Sequence, residues 1–114
     1  MDESKALETL AALSQETRLD VFRFLVKKAP VGVPAGEIAK AFGVVQNTMS
    51  AHLSVLAQCG LVTAERNGRS IAYSANFKQV RALLVFLMQD CCQGAPEICE
   101  PLLEAITCGP KSGE

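Results

Sequence analysis

The chain has 114 residues, of which 49% are apolar, and a formal net charge of −1. This length allows one domain with its own core and scarcely two. The longest apolar run, "ALLVFLM" at residues 82–88, is far shorter than the roughly 20 residues needed to cross a bilayer. The first residues show no basic segment followed by an apolar one, so we expect a cytoplasmic protein without membrane contact.

The small net charge hides an uneven distribution along the chain. Residues 18–81 contain nine Lys or Arg against three acids, a net of +6, whereas residues 1–17 and 82–114 have nets of −3 and −4. Local charge, rather than the total, decides whether a surface attracts phosphates. The middle of the chain is therefore a candidate for binding nucleic acid despite the acidic ends.

Two helices are predicted before the first loop. Residues 5–13 form a short helix with Leu7, Leu10 and Ala11 on one side. A second helix begins after Ser14, a suitable N-cap residue, and ends before "APVGVPAG", whose prolines and glycines indicate a loop.

The next segment predicts two short helices joined by a tight turn. "AGEIAKAFG" forms the first, with Gly43 placed to end it. "VQNTMSAHLSVLAQCG" forms the second, which ends at Gly60. Two short helices in this relation are typical of a helix-turn-helix.

A hairpin and a long last helix follow. Residues 61–64 and 71–74 are strand-like, and the "NG" between them is a strong hairpin signal, with Arg66 and Arg69 flanking the turn. Residues 77–91 form a helix that is apolar on nearly all sides. Such a helix must be buried on more than one side, which in a small chain indicates a subunit interface.

These elements predict a mainly α fold, a winged helix-turn-helix of order α-α-α-α-β-β-α with its last helix in a subunit interface. The DNA-binding and dimerisation domain covers residues 1–90. A cysteine-containing tail covers residues 91–114.

The fourth helix has two contrasting faces. At 100° per residue one apolar stripe is predicted to face the core, made of Val45, Met49, Leu53 and Leu56. The opposite face is small, uncharged and polar, as suits either ordinary solvation or entry into a DNA major groove, where Asn or Gln can pair with adenine. The candidate DNA-binding residues are Gln46, Asn47, Thr48, Ser50, Ala51, His52, Ser54, Arg66 and Arg69. For His52 a local structural hydrogen bond is an equal alternative.

The stretch "FGVVQNTMSAHLSVLAQCGLVTAERNGRSIAYS" resembles the helix-turn-helix and wing of the ArsR/SmtB family of bacterial metal-responsive repressors, and "ALSQETRLDVFRFL" resembles its second helix. The resemblance covers about residues 5–90 and is carried by the pattern SxHLxxLxxxGLV. It implies a homodimer through the first and last helices that binds roughly palindromic double-stranded operator DNA and is released by an inducer. Members often have a Ser cap where this chain has Val45 and a basic residue where it has Ala51, so Gln46 or Asn47 is expected to begin the helix, and base specificity does not transfer.

Three of the five cysteines lie close together in "CCQGAPEIC". In reducing cytosol such thiols indicate metal ligands or redox sensors rather than disulfides. The family's zinc site needs histidines on the last helix, and its founding arsenic site needs cysteines before the recognition helix; this chain has neither. By resemblance to the C-terminal CC…C site of arsenite-responsive members, we expect As(III), with Sb(III) as a near relative, to bind Cys91, Cys92 and Cys99, without an organic cofactor.

Several alternatives stay open at this point. Cys108 is a fourth ligand, a replacement for Cys99 or a free thiol. The cluster also suits a dithiol redox or persulfide sensor, a site for cadmium, lead, zinc or copper(I), or chance cysteines in a tail. An enzyme is disfavoured, because there is no Cys-x-x-Cys and no histidine beside the cysteines. We therefore predict a transcriptional repressor that trivalent arsenic releases from operator DNA, derepressing resistance genes.

Overall fold

The computed structural model describes residues 1–89, which form a mainly helical domain with a small antiparallel sheet. Its helices are α1 (Glu3–Leu13), α2 (Glu16–Lys28), α3 (Ala35–Phe42), α4 (Gln46–Gln58) and α5 (Phe77–Met88). Its strands are β1 (Val33–Pro34), β2 (Val62–Asn67) and β3 (Ser70–Ala75). The predicted winged helix-turn-helix is confirmed, with α3 and α4 as the helix-turn-helix and β2–β3 as the wing. The predicted tail, residues 91–114, lies outside the described residues.

α1 begins two residues before its predicted start, and the N-cap of α2 is one residue after the predicted one. α1 begins earlier than expected because Asp2 Oδ1 accepts from the Lys5 N–H at 2.8 Å. Ser14 is not the N-cap of α2, since its hydroxyl donates back to a carbonyl in the last turn of α1 at 2.8 Å. Gln15 caps α2 instead, and its Oε1 accepts from the Arg18 N–H at 2.8 Å.

The short strand β1 was not predicted. It pairs antiparallel with β3, Val33 opposite Tyr73 and Pro34 opposite Ala72, and gives the sheet the order β1-β3-β2. Two residues inside a loop rich in proline and glycine carry no local strand signal, and proline is tolerated because β1 lies at a sheet edge. β1 closes the base of the wing against the start of α3.

The turn between α3 and α4 agrees with the prediction at Gly43 and differs from it at Val45. Gly43 ends α3 with φ 64°, in the left-handed region that favours glycine. α4 begins at Gln46, after Val45, which offers no side-chain cap. Val45 is 71% exposed, so its predicted place in the core stripe is wrong. Its backbone is not helical (φ −58°, ψ 138°), and helical spacing therefore does not apply to it.

The wing turn is shifted by one residue from the prediction. Asn67 pairs with Ser70, so the two loop residues are Gly68 and Arg69 rather than the "NG" dipeptide. Gly68 has φ 61°, a conformation that two-residue hairpin loops require at their first position. Arg69 therefore lies in the loop itself, while Arg66 lies within β2.

The core lies between α2, α3, α4 and the base of the wing. Its fully buried large side chains are Val21, Leu25, Ile38, Met49, Leu53, Leu56 and Leu61. The last three positions of the predicted α4 stripe are thus confirmed. Cys59 is 1% exposed and packs as the small buried apolar residue that the sequence predicts.

α1 and α5 leave apolar side chains outside this core. α1 packs inward through small residues, Ala6, Thr9 and Ala12, whereas Leu7 and Leu10 are 61% and 41% exposed. Leu83 is the only buried residue in the described part of α5, and Val85 and Leu87 are 43% and 48% exposed. α5 ends at Met88 with Gln89 as its C-cap, short of the predicted end at residue 91; residues 90 and 91 fall outside the described residues.

Candidate nucleic-acid interface

The outer face of α4 is exposed, as its composition predicts. The exposed members of the candidate set on this helix are Gln46, Asn47, Thr48, Ser50, Ala51 and Ser54. Met49, Leu53 and Leu56 have no exposed surface, so the helix is fixed by one side and presents the other. A helix of 13 residues without Lys, Arg, Asp or Glu offers small hydrogen-bonding groups that meet no steric or charge barrier at base edges.

A groove of about 520 Å³ separates the first turn of α4 from the wing. Gln46 and Ser50 line it from α4, and Arg69 of the wing loop and Ser70 at the start of β3 line it from the wing. Lys40, in the last turn of α3, lines the same groove. The fold therefore brings Arg69 to the recognition helix and adds a second cation that we did not select from the sequence, although its place in the first helix of a helix-turn-helix was a usable signal.

The two wing arginines are placed differently. Arg69 lies in the loop at the groove, whereas Arg66 is an exposed residue of β2 beyond it. An exposed cation at a hairpin tip suits a phosphate or a narrow minor groove. The geometry supports both as candidates and makes Arg69 the one nearer to α4.

His52 differs from the rest of the set because it is half-buried and has a protein partner. Its Nδ1 lies 3.4 Å from Nη1 of Arg18, on α2. The local hydrogen bond that the sequence left as an alternative is thus present in the structure. This contact engages Nδ1 of the ring and does not involve Nε2.

The far end of α4 is tied to α5 by side-chain amides. Nε2 of Gln79 donates to the Cys59 carbonyl at 2.7 Å, and Nδ2 of Asn76 donates to the Gly60 carbonyl at 2.8 Å. Gly60 has φ 89°, and a Cβ there would lie 3.2 Å from Cδ of Gln79. The close approach of α5 to the end of α4 therefore depends on glycine at this position. Lys5 of α1 adds a longer contact, 3.4 Å from Nζ to the Gln58 carbonyl.

The predicted metal ligands cannot be placed. Cys91, Cys92, Cys99 and Cys108 lie outside the described residues. Cys59 lies within them, buried, with its Sγ 3.4 Å from the Leu56 carbonyl. Residues 1–89 hold no group of three His, Cys, Asp or Glu side chains arranged to bind a metal ion. No helix in that same stretch is long and apolar enough to cross a membrane.

Comparisons with known proteins agree with this geometry. A family model described as a helix-turn-helix domain matches residues 13–65. The protein named "Probable mercury resistance operon repressor" from Streptomyces lividans is 34% identical over 95 residues, covering 75% of this chain and 73% of that protein. The HTH-type transcriptional regulator NmtR of Mycobacterium tuberculosis is 37% identical over 81 residues; this match covers 71% of the chain but only 65% of that regulator's length.

The fold is also found in a solved structure. The homodimeric winged helix-turn-helix DNA-binding domain Mb0332 of Mycobacterium bovis, described as a possible ArsR-family transcriptional regulator, superposes with a TM-score of 0.62 at 29% identity. The match covers 76% of this chain and 80% of that one. Together with the Streptomyces relative, the fold and the exposed face of α4 lead to one conclusion: the chain belongs to the ArsR/SmtB family of winged helix-turn-helix transcriptional regulators.

Proposed function

We propose that the protein is a transcriptional repressor whose homodimer covers operator DNA and leaves it when trivalent arsenic binds Cys91, Cys92 and Cys99, which derepresses resistance genes. The observation that carries the DNA-binding part is the exposed, uncharged polar face of α4 beside the groove that Lys40 and Arg69 line. The first residues of a recognition helix reach base edges, and flanking cations hold the phosphates.

The homodimer is supported by the apolar surface that α1 and α5 leave exposed. Leu7 and Leu10 of α1 and Val85 and Leu87 of α5 are each more than 40% exposed. A second copy that covers them removes this surface from water, a favourable transfer of about 25 cal/mol per Å². The Mycobacterium bovis relative is homodimeric. Val85→Lys should give a monomer in sedimentation, whereas Val31→Lys, which changes a 66% exposed valine outside these helices, should leave the dimer intact.

Arsenic is proposed from the chemistry of the thiols. Three cysteines in nine residues begin at Cys91, three positions after Met88, the last residue of α5. Thiolates select soft metal ions, and three of them suit trivalent arsenic, whose lone pair fills the remaining direction. The Streptomyces relative is named as a mercury resistance repressor, and mercury is another soft, thiophilic metal.

The route from the thiols to DNA runs through α5. The amides of Asn76, its N-cap, and of Gln79, in its first turn, hold the two carbonyls that directly follow α4, and the cysteines follow the other end of α5. Any shift of α5 is thus passed to α4 at the end that does not meet DNA. Recognition helices of a dimer must match half-sites about 34 Å apart, so a small reorientation of α4 weakens binding; allosteric couplings of about 1–3 kcal/mol are typical.

The test is the release of duplex DNA, selected from a random pool, by a panel of soft ions. Cys91→Ser, Cys92→Ser and Cys99→Ser should each bind DNA normally and lose the response to arsenite, because three-thiolate binding fails when one ligand is missing. Cys59→Ser is the matched control and should respond fully, and Cys108→Ser should lose at most part of the response. A dithiol competitor should reverse the release.

Two outcomes contradict the assignment in different ways. If Cys99→Ser responds normally and Cys108→Ser does not, the third ligand is Cys108. If every single variant responds to arsenite, the cluster is not the sensor of that ion. Release by an oxidant or a persulfide donor in the wild type alone identifies the alternative, a thiol-based redox sensor.

A further inference from the structure

The one histidine of the chain is held by an arginine from another helix. Nη1 of Arg18 lies 3.4 Å from Nδ1 of His52. The arginine itself is fixed: its Nε donates to the Ala12 carbonyl at 2.8 Å, and its backbone N–H donates to Oε1 of Gln15 at 2.8 Å. The junction between α1 and α2 therefore holds the guanidinium of Arg18 in place beside α4.

The chemistry of the pair sets the direction of the hydrogen bond. A guanidinium has five N–H donors and no acceptor, and it stays protonated in proteins. Nδ1 of His52 must therefore accept. A neutral imidazole carries one N–H, so the proton lies on Nε2, and the partner of one ring nitrogen determines the role of the other.

Nε2 faces outward. His52 makes no second hydrogen bond to any part of residues 1–89. No buried side-chain nitrogen or oxygen in that part of the chain lacks a partner. Since the ring is half-buried and Nε2 has no partner among these residues, this nitrogen reaches the surface of the described domain and presents an N–H donor there.

The donor lies on a defined flank of the recognition helix. At 100° per residue, His52 falls near Thr48, on the side of α4 away from Gln46 and Ser50. Those two residues line the groove beside the wing. A helix in a major groove points its outer face at base edges and its two flanks at the two phosphate walls. The wing side has Arg69 and Lys40, and the other flank has the N–H of His52.

We propose, resting on the DNA-binding function proposed above, that His52 donates its Nε2–H to a DNA phosphate and that Arg18 is the positioning residue that holds the ring in this tautomer. The donor of this contact is uncharged, so the contact releases no counterion although its acceptor is an anionic phosphate. It weakens specific and non-specific DNA equally when lost, and it leaves the salt dependence unchanged, unlike the loss of a cation.

A matched pair of substitutions tests the DNA contact. The glutamine amide nitrogen reaches about as far from the backbone as Nε2 of histidine, and the asparagine amide only as far as Nδ1. His52→Gln should therefore keep most of the affinity for a mixed-sequence DNA duplex at low salt. His52→Asn should lose about ten- to a hundredfold in affinity, the range of one hydrogen bond to a charged group, with an unchanged slope of log affinity against log salt.

The tautomer can be read directly, because the ring is the only imidazole in the untagged chain. Long-range ¹H–¹⁵N spectra of the free protein, at a pH where the ring is neutral, should show the Nε2–H form with Nδ1 accepting. Arg18→Met should move the Nδ1 resonance toward that of free imidazole. Adding the duplex to the wild type should protect the Nε2 proton from exchange with water.

The outcomes separate the contact from the function on which it rests. A wild type that binds no duplex overturns DNA binding itself. Wild-type binding with equal affinities for His52→Gln and His52→Asn overturns only the phosphate contact. A neutral Nδ1–H form, or an Nδ1 resonance that a folded Arg18→Met variant leaves unchanged, overturns the role of Arg18.

Discussion

The two ends of α4 are held in opposite ways. At the first turn Val45 provides no side-chain cap and the neighbouring polar side chains are exposed. At the last turn the carbonyls of Cys59 and Gly60 accept from amides of α5, at 2.7 Å and 2.8 Å. The first end, called the free end for its exposed polar side chains, is fixed only on its core side by the buried Met49. Under the proposed function, the free end reads DNA and the tied end passes a shift of α5 to α4.

The largest loss of stability is expected for a core-facing side chain near the tied end of α4. Leu56 has no exposed surface, so Leu56→Ala should lower the free energy of unfolding by about 2–5 kcal/mol through lost burial and the cavity left behind. Val55→Ala, at a 37% exposed neighbour, is the control and should lose much less. Denaturant unfolding measures both. Equal losses would show that α4 is not anchored by this stripe.

Breaking the amide tie should have a smaller effect on stability. Gln79→Met keeps the length of the side chain but leaves the carbonyl of the buried Cys59 without its donor, which should cost about 1–3 kcal/mol in unfolding free energy. Gln58→Met changes an exposed amide and should be neutral. We also expect Gln79→Met to bind DNA but to respond less to the inducer. A full response would exclude this tie from the coupling route.

At the free end, substitutions should change recognition and not stability. Asn47→Ala and Ser50→Ala remove exposed side chains, so unfolding should stay within about 0.5 kcal/mol of the wild type. Each should reduce discrimination between specific and mixed-sequence DNA by about 1–3 kcal/mol if it pairs with a base. Competition binding measures this difference. Equal weakening on both DNAs would mean that these side chains do not read bases.

A side-chain cap added at the free end of α4 should stabilise the turn that has none. Val45→Ser places a hydroxyl where the first N–H groups of α4 have no side-chain acceptor, and we expect a gain of about 0.5–2 kcal/mol in unfolding free energy. Val45→Ala removes the same exposed methyl groups without providing a cap. Thermal or denaturant unfolding compares the two. A serine variant no more stable than the alanine variant would contradict an uncapped first turn.

The smallest effect is expected at the wing loop. Arg69→Ala should weaken binding to all duplexes and reduce the slope of log affinity against log salt by about 0.9, the contribution of one phosphate. Arg66, which lies beyond the groove, is the natural comparison. Titrations at several salt concentrations give both slopes. An unchanged slope for Arg69→Ala would show that Arg69 does not contact a DNA phosphate.

The sequence by itself determined the features that depend on local spacing and backbone preference. The 3.6-residue period separated Met49, Leu53 and Leu56 from the exposed face of α4, because a helix repeats its faces wherever it is placed. Gly43 marked the end of α3 for an equally local reason, its left-handed backbone. Composition and pattern also predict the cysteine cluster as a metal site and the polar face of α4 as a DNA-binding surface.

Only the tertiary structure decided which partners meet across the chain. Arg18 and His52 are 34 positions apart, and Gln79 and the Cys59 carbonyl are 20 apart, so no local pattern links them. The strand β1 exists because β3 offers it an edge, and Leu7 and Leu10 are exposed because Ala6 and Ala12 allow α1 to pack closely on its other side. Local propensity fixes an element, but the free energy of long-range packing selects its face and its partners.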